Sequence, residues 1–192
     1  MQLGSHNSMS YAKPKKWWMI PFKFMAKCQS VSIFDQYYKY GVRMFDLRVK
    51  FKKDGSLCFA HGLMEYNVDV DEILSFLNSV DKVDVRIIQE NKKGQFENRF
   101  IQWCQKIRKK YPNVKFFGGR NKDSWKVVYK FAYQGPTFLD KYSSVNNETT
   151  NYTGTIWDDW FPWLYAWKNN KKNIETGTDR DYLLIDFVNI QN

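Results

Sequence analysis

The 192-residue sequence predicts an α/β protein with a largely parallel sheet, folded as a small, distorted or incomplete (β/α) barrel. Three observations carry this expectation. Short apolar runs alternate with helical patterns, the rhythm of strand–helix–strand units. Polar residues fall at or near the C-terminal ends of those runs, the face on which parallel barrels build their sites. No internal repeat or linker interrupts the chain, and its length suits one domain, residues 1–192, with a real core. An open doubly wound sheet is the alternative architecture.

The elements follow in order. "LGSHN", Leu3 to Asn7, reads as the end of a first strand. "VRMFDLRVKF", Val42 to Phe51, is a strand by alternation: Phe45, Leu47, Val49 and Phe51 share one face, and Asp46, Arg48 and Lys50 share the other. A turn at Lys53, Asp54 and Gly55 leads into "SLCFAHG", a further strand. Asp71 to Val80 predicts a helix, with acidic residues at its start and Ile73, Leu77 and Val80 on one face. "VDVRIIQEN" is again a strand. Gln95 to Lys110 is an amphipathic helix, with Phe96, Phe100, Trp103, Cys104 and Ile107 at helical spacing. "VKFFGG", "WKVVYKF" and "YLLIDFV" complete the strands, and the polar stretch Asp140 to Thr155 reads as a long loop.

The formal net charge of +10 favours an anionic partner: nucleic acid, anionic lipid or a phosphorylated substrate. Cys28, Cys58 and Cys104 lie far apart without zinc spacing and read as free buried thiols. No apolar run is long enough to span a bilayer, and no N-terminal apolar core of a signal peptide is visible.

The candidate site residues are His6, Asp46, Arg48, His61, Glu90 and Asp186. Asp46 and Arg48 stand two apart, so both point away from the apolar face and into the barrel. A charge there is costly unless it is paired or works on a ligand. On its own such a pair reads as an ion pair, a lone histidine as a hydrogen-bonded bystander, and Glu90 as a strand-end cap. Asp186 within the apolar "LLIDFV" demands a cationic or donor partner, and histidine suits it.

"LGSHNS", "GVRMFDLRV", "CFAHGL" and a strand ending in Glu90-Asn91, in that order and spacing, resemble the catalytic X region of the phosphatidylinositol-specific phospholipase C family. "LLIDFV" is similar to the late strand that carries a catalytic aspartate in its bacterial members. The resemblance implies a TIM-like barrel and cleavage of phosphatidylinositol to diacylglycerol and a cyclic inositol phosphate. It implies His6 as general base, His61 as general acid, Asp186 as the orienter of His6, and Arg48 as the cation on the phosphate. Asp46 supports the catalytic set, and Asn7, Glu90 and Lys92 are implied to contact substrate, with Arg120 a further candidate. Calcium-dependent members hold their ion with an Asn and several carboxylates, and Asn7, Asp46 and Glu90 match three such positions. Arg48 stands where another carboxylate is expected, so the expectation is no cofactor, with calcium the alternative.

The implied partner is phosphatidylinositol or a glycosyl-phosphatidylinositol lipid on a membrane surface, not nucleic acid. "KPKKWWMIPFKF", Lys13 to Phe24, supplies the docking element, with Trp17 and Trp18 at its centre. "WDDWFPWLYAW", Trp157 to Trp167, is either a second rim element or core. Two other readings stay open: a catalytically inactive basic barrel that binds membrane or nucleic acid, and a glycerophosphodiester phosphodiesterase.

Overall fold

The computed structural model describes residues 2–91, 95–118, 140–141, 147–149, 161–176 and 182–191. Among these residues nine strands fall in chain order: β1 (Gln2–Ser5), β2 (Met44–Phe51), β3 (Leu57–His61), β4 (Met64–Glu65), β5 (Val83–Gln89), β6 (Val114–Gly118), β7 (Asp140–Lys141), β8 (Asn147–Thr149) and β9 (Tyr182–Ile185). The helices are α1 (Lys23–Ala26), α2 (Ile33–Tyr38), α3 (Val70–Ser79), α4 (Glu97–Lys110) and α5 (Pro162–Thr176), with a 3-10 turn over Trp17–Phe22.

Seven strands form the parallel path β7-β6-β5-β2-β1-β9-β8. Among the described residues no ladder joins β7 to β8, so the sheet is an open barrel. The distortion has a visible origin. β2 carries β5 along one edge from Met44 to Val49. Its other edge is shared, with β1 at Met44 and Phe45 and the antiparallel β3 from Val49 to Phe51. β1 therefore parts from β2 just where His6 begins, and β3 fills the vacated edge. The segment "SLCFAHG" is a strand as expected, but it runs against the barrel, so His61 is not at a parallel strand's C-terminal end.

Alternation sorts the side chains into two faces. Phe45, Leu47, Val49 and Phe51 of β2 are all buried in the main core. Against them pack Ile73, Leu74 and Leu77 of α3 and Phe100, Cys104 and Ile107 of α4. α3 begins where expected, capped by the Asp69 side chain accepting from the Glu72 amide. The other face lines the interior, and Met44, Phe117 and Leu184 plug it as a separate apolar cluster. Gly4 permits that plug: a Cβ there would lie 2.9 Å from Leu184 Cδ1 and 3.2 Å from Met44 Cβ. Above the plug the same alternation delivers Asp46, Arg48, Arg86 and Glu90.

Two further expectations change. The stretch Asp140 to Thr155, read as a loop from its polar composition, contains β7 and β8. Both are edge strands of two or three residues, too short for period-2 patterning to register. Asp186 lies one residue past the end of β9 rather than within it. The expected strand "WKVVYKF" falls outside the described residues.

Candidate active site

His6 and Asp186 are delivered to the same place by neighbouring parallel strands. β1 and β9 pair with Ser5 opposite Ile185, so the next residue of each lies at the barrel mouth. Both strands then turn sharply: Asn7 has φ 44° and Phe187 has φ 49°. Asparagine is among the residues that tolerate this left-handed region, which gives Asn7 a backbone reason to follow His6. Its amide N–H donates to Asp46 Oδ2 at 3.0 Å, and its side-chain nitrogen lies 3.9 Å from Cys28 Sγ.

His6 Nδ1 is 2.7 Å from Asp186 Oδ1, and its Nε2 is 2.7 Å from Arg48 Nη2. A guanidinium can only donate, so Nε2 must accept and Nδ1 must carry the ring proton, donating it to Asp186. The tautomer is thus set by its two partners. The lone pair on Nε2 is the basic atom.

Arg48 is gripped on three sides. Its Nε donates to Asp46 Oδ2 at 3.1 Å and its Nη1 to Glu90 Oε1 at 3.3 Å, besides the contact to His6. Arg86 Nε donates to Asp46 Oδ1 at 2.6 Å. Burial pushes the Asp46 carboxyl up, but Arg86 and then Arg48 outweigh it and hold it well below the usual carboxylate range. Burial likewise works against the Arg48 charge, and Asp46 and Glu90 more than restore it. The guanidinium is a permanent, pre-positioned cation.

His61 ends β3 opposite this group. Its Nδ1 lies 3.1 Å from the Ala26 carbonyl, so Nδ1–H donates and Nε2 is turned elsewhere. Glu90 Oε2 accepts from the Gly62 amide at 3.1 Å and so holds the β3–β4 turn to the Arg48 cluster. Burial lowers the His61 pKa from its ordinary 6.5, Arg48 lowers it further, and Glu90 opposes both. A histidine whose pKa is lowered in the folded chain takes up a proton more readily once unfolded, so stability is lost as pH falls below about 6.5. The midpoint of urea unfolding is expected to fall over that range, and His61→Asn is expected to reduce the slope. An unchanged slope in the variant would show that the pH dependence arises elsewhere.

The expected residues His6, Asp46, Arg48, Glu90 and Asp186 therefore meet in one buried network, with His61 half-buried beside it. Lys92 and Arg120 lie outside the described residues. Trp17 and Trp18 lie on the exposed 3-10 turn, 80% and 51% accessible, a placement that leaves them free to touch another surface. Sequence reasoning missed Arg86, Cys28 and Gln29. Arg86 was legible by the same alternation, four residues before Glu90. Gln29 is wholly buried and bridges both strand ends. Its Nε2 donates to the carbonyls of His6 and Ile185, and its Oε1 accepts from the Val188 amide. Burial pushes the Cys28 thiol well up, with the Asp186 charge adding to the effect.

The alternative calcium set does not fit this geometry. Both oxygens of Asp46 and both of Glu90 already accept from guanidinium or amide donors. Two of those donors are arginines, which a hard dication would have to displace.

No protein-family profile matches the chain, and no curated protein matches it by sequence. Solved structures do. The phosphatidylinositol-specific phospholipase C of Listeria monocytogenes superposes with a TM-score of 0.64 at 18% identity, over 99% of this chain and 89% of that one. A doubly substituted form of the S. aureus enzyme gives 0.62 at 15% identity, over 97% of this chain and 84% of that one. The S. aureus enzyme from work on the modulation of its membrane binding gives 0.58 at 14% identity, over 97% and 85%. The chain thus has the TIM-like barrel fold of the bacterial phosphatidylinositol-specific phospholipases C.

Proposed function

We propose that the protein is a metal-independent phosphodiesterase that cleaves phosphatidylinositol to diacylglycerol and a cyclic inositol phosphate. The observation that carries this reading is His6 held between Asp186 and Arg48 at the barrel mouth, its Nε2 the acceptor. Substrate phosphate draws the Arg48 guanidinium onto its oxygens, and the inositol 2-hydroxyl takes the vacated place at Nε2. His6 removes the hydroxyl proton as that oxygen attacks phosphorus. The bond from phosphorus to the diacylglycerol oxygen breaks, and protonated His61 supplies the leaving oxygen with its proton. Asp186 stabilises the imidazolium formed at His6, and Arg48 stabilises the charge growing on the phosphorane. Asp46, Arg86 and Glu90 keep Arg48 aimed.

An attacking group within the substrate supports the small catalytic set, because proximity replaces a positioned water. Burial and Arg48 hold the His61 pKa below its ordinary value in the absence of substrate. The phosphate anion, once bound, offsets Arg48 and favours protonation of His61. Glycosyl-phosphatidylinositol, with the same 2-hydroxyl and phosphodiester, is a second substrate on this reading. Product analysis tests the reaction. With phosphatidylinositol vesicles in EGTA, a cyclic inositol phosphate is expected as the first product. A linear inositol phosphate, or activity that appears only with added calcium, would overturn it.

Lipid substrate requires docking, and we assign it to the segment that holds Trp17 and Trp18. Its two ends are pinned beside His61: Pro14 bridges Tyr66, the Lys15 amide donates to the Glu65 carbonyl, and Ala26 accepts from His61. Between them Trp17, Trp18, Ile20, Phe22, Phe24 and Met25 are exposed among lysines, a contiguous apolar and basic surface. Phe24 stacks on Phe161, ahead of α5, whose Trp163 and Trp167 are also exposed and so are not core. Among the described residues no helix is long and apolar enough to cross a membrane. Trp17→Ala with Trp18→Ala is expected to weaken binding to anionic vesicles about tenfold or more, at about 1–2 kcal/mol for each interfacial tryptophan lost. Cleavage of a soluble inositol phosphodiester should change less than twofold (roughly, from the ±0.5 kcal/mol typical of surface substitutions). Equal loss on both substrates would assign the tryptophans to folding instead.

A further inference from the structure

We propose that Cys28, His6 and Asp186 form an inhibitory binding site for a borderline-soft divalent cation of the zinc type. One nitrogen, one sulfur and one carboxylate oxygen from these residues lie within 4.8 Å of one another, and all three residues are buried. His6 Nδ1 and Asp186 Oδ1, 2.7 Å apart, already share a proton that a cation can replace. Zinc with bonds of about 2.0–2.3 Å spaces tetrahedral donors about 3.3–3.8 Å apart, so the three side chains need shift by only about 1 Å. A fourth position is left for water.

The donor set selects the metal. A thiolate, an imidazole and a carboxylate together suit zinc, cobalt or cadmium, whereas calcium and magnesium favour oxygen alone. Charge agrees. Among the buried side chains two guanidiniums, Arg48 and Arg86, face three carboxylates, Asp46, Glu90 and Asp186. That leaves one negative charge in excess, and a Cys28 thiolate adds a second, which a dication neutralises. Arg48 does not oppose the ion unscreened, since Asp46 and Glu90 both pair with it.

Cys28 is also fixed in place rather than brought in by a mobile loop. Its amide and that of Gln29 both donate to Ser10 Oγ, at 2.9 and 2.8 Å. Its carbonyl accepts from the Phe187 amide at 2.6 Å. The thiol is thereby tied to the turn after His6 and to the residue after Asp186. Cys58 and Cys104 are buried elsewhere, Cys58 against the Lys50 carbonyl and Cys104 in the main core.

Binding stops the proposed reaction by proton placement. The thiol proton leaves to solvent. The ring proton of His6 moves from Nδ1, now metal-bound, to Nε2. The basic lone pair is lost, and Nε2–H now confronts the donor Arg48.

Cobalt(II) is the direct probe, because a thiolate in a tetrahedral site gives charge-transfer and intense visible bands. One equivalent is expected to produce these bands with the full chain and with Cys58→Ser, and zinc is expected to bleach them. Cys28→Ser should abolish them, and Asp186→Asn should weaken binding at least tenfold, a second check should Cys28→Ser fail to fold. Zinc is expected to inhibit phosphatidylinositol cleavage over the same concentrations, with Cys28→Ser at least tenfold more resistant. Bands that are absent, or that persist in folded Cys28→Ser, would overturn the site. Bands without inhibition would overturn its inhibitory role. The inhibition arm rests on the proposed role of His6 as general base. The spectroscopic arm does not, so a protein with no lipase activity still reports on the metal site.

Discussion

His6→Ala is expected to lower the rate of phosphatidylinositol cleavage by about 10²–10⁴-fold, the usual contribution of a positioned general base. The loss should fall on kcat, because the imidazole acts on a proton in flight rather than on bound head group. Asp186→Asn is expected to approach the same loss by a different route. An amide facing Nδ1 can donate to it, which stabilises the tautomer with its proton on Nε2, the wrong atom for a base. Initial rates on vesicles, with circular dichroism to confirm folding, measure both. Activity within tenfold of wild type in folded His6→Ala would remove His6 from the mechanism.

Arg48→Leu is expected to damage both chemistry and fold. The fixed cation opposite the phosphorane is worth about 10²–10³ in kcat by analogy with a single oxyanion donor. Its removal also leaves Asp46 with only Arg86 to balance its charge beside the Asn7 amide, and Glu90 with the Gly62 amide, both buried. Breaking a buried pair by deleting one partner costs about 3–5 kcal/mol. Arg48→Lys separates the two effects. A lysine keeps one charge but cannot reach Asp46, Glu90 and His6 at once, so it should recover much of the stability and little of the rate. Urea melts and initial rates, taken on the same three proteins, check this. Equal recovery of both would mean that charge alone, without the guanidinium fork, suffices.

The site was legible where a strand announced itself. In "VRMFDLRVKF" each side chain's face follows from parity, so the sequence alone places Asp46 and Arg48 inside the barrel. Arg86 obeys the same parity on β5 but was submerged in an apolar run that read simply as strand. Cys28, Gln29 and Ser10 were not legible, because they sit in irregular chain between β1 and α2, where no period relates residue number to direction. Asn7 carried the opposite lesson. Its identity suggested a ligand, whereas the structure gives a left-handed backbone and a buried amide as sufficient cause. The antiparallel course of β3 depends on where β1 leaves β2, a tertiary event that the segment "SLCFAHG" does not encode by itself.

The adjacency of β1 and β9 has a consequence for how the protein is made. His6 and Asp186 touch across a sequence separation of 180 residues. During synthesis the His6 side chain emerges 180 residues before Asp186. The intervening strands β2, β5 and β6 can pair as they appear, but β1 has only two register positions on β2 to hold it. A ribosome-bound chain that stops short of residue 186 thus has the β3–β4 hairpin with His61 and the Arg48 and Arg86 cluster, but a His6 without its Asp186 partner. Loop closure on this scale is slow compared with helix or hairpin formation. The His6–Asp186 pair therefore forms in one late step, when β9 docks beside β1, and on the proposed mechanism no lipid cleavage precedes that docking.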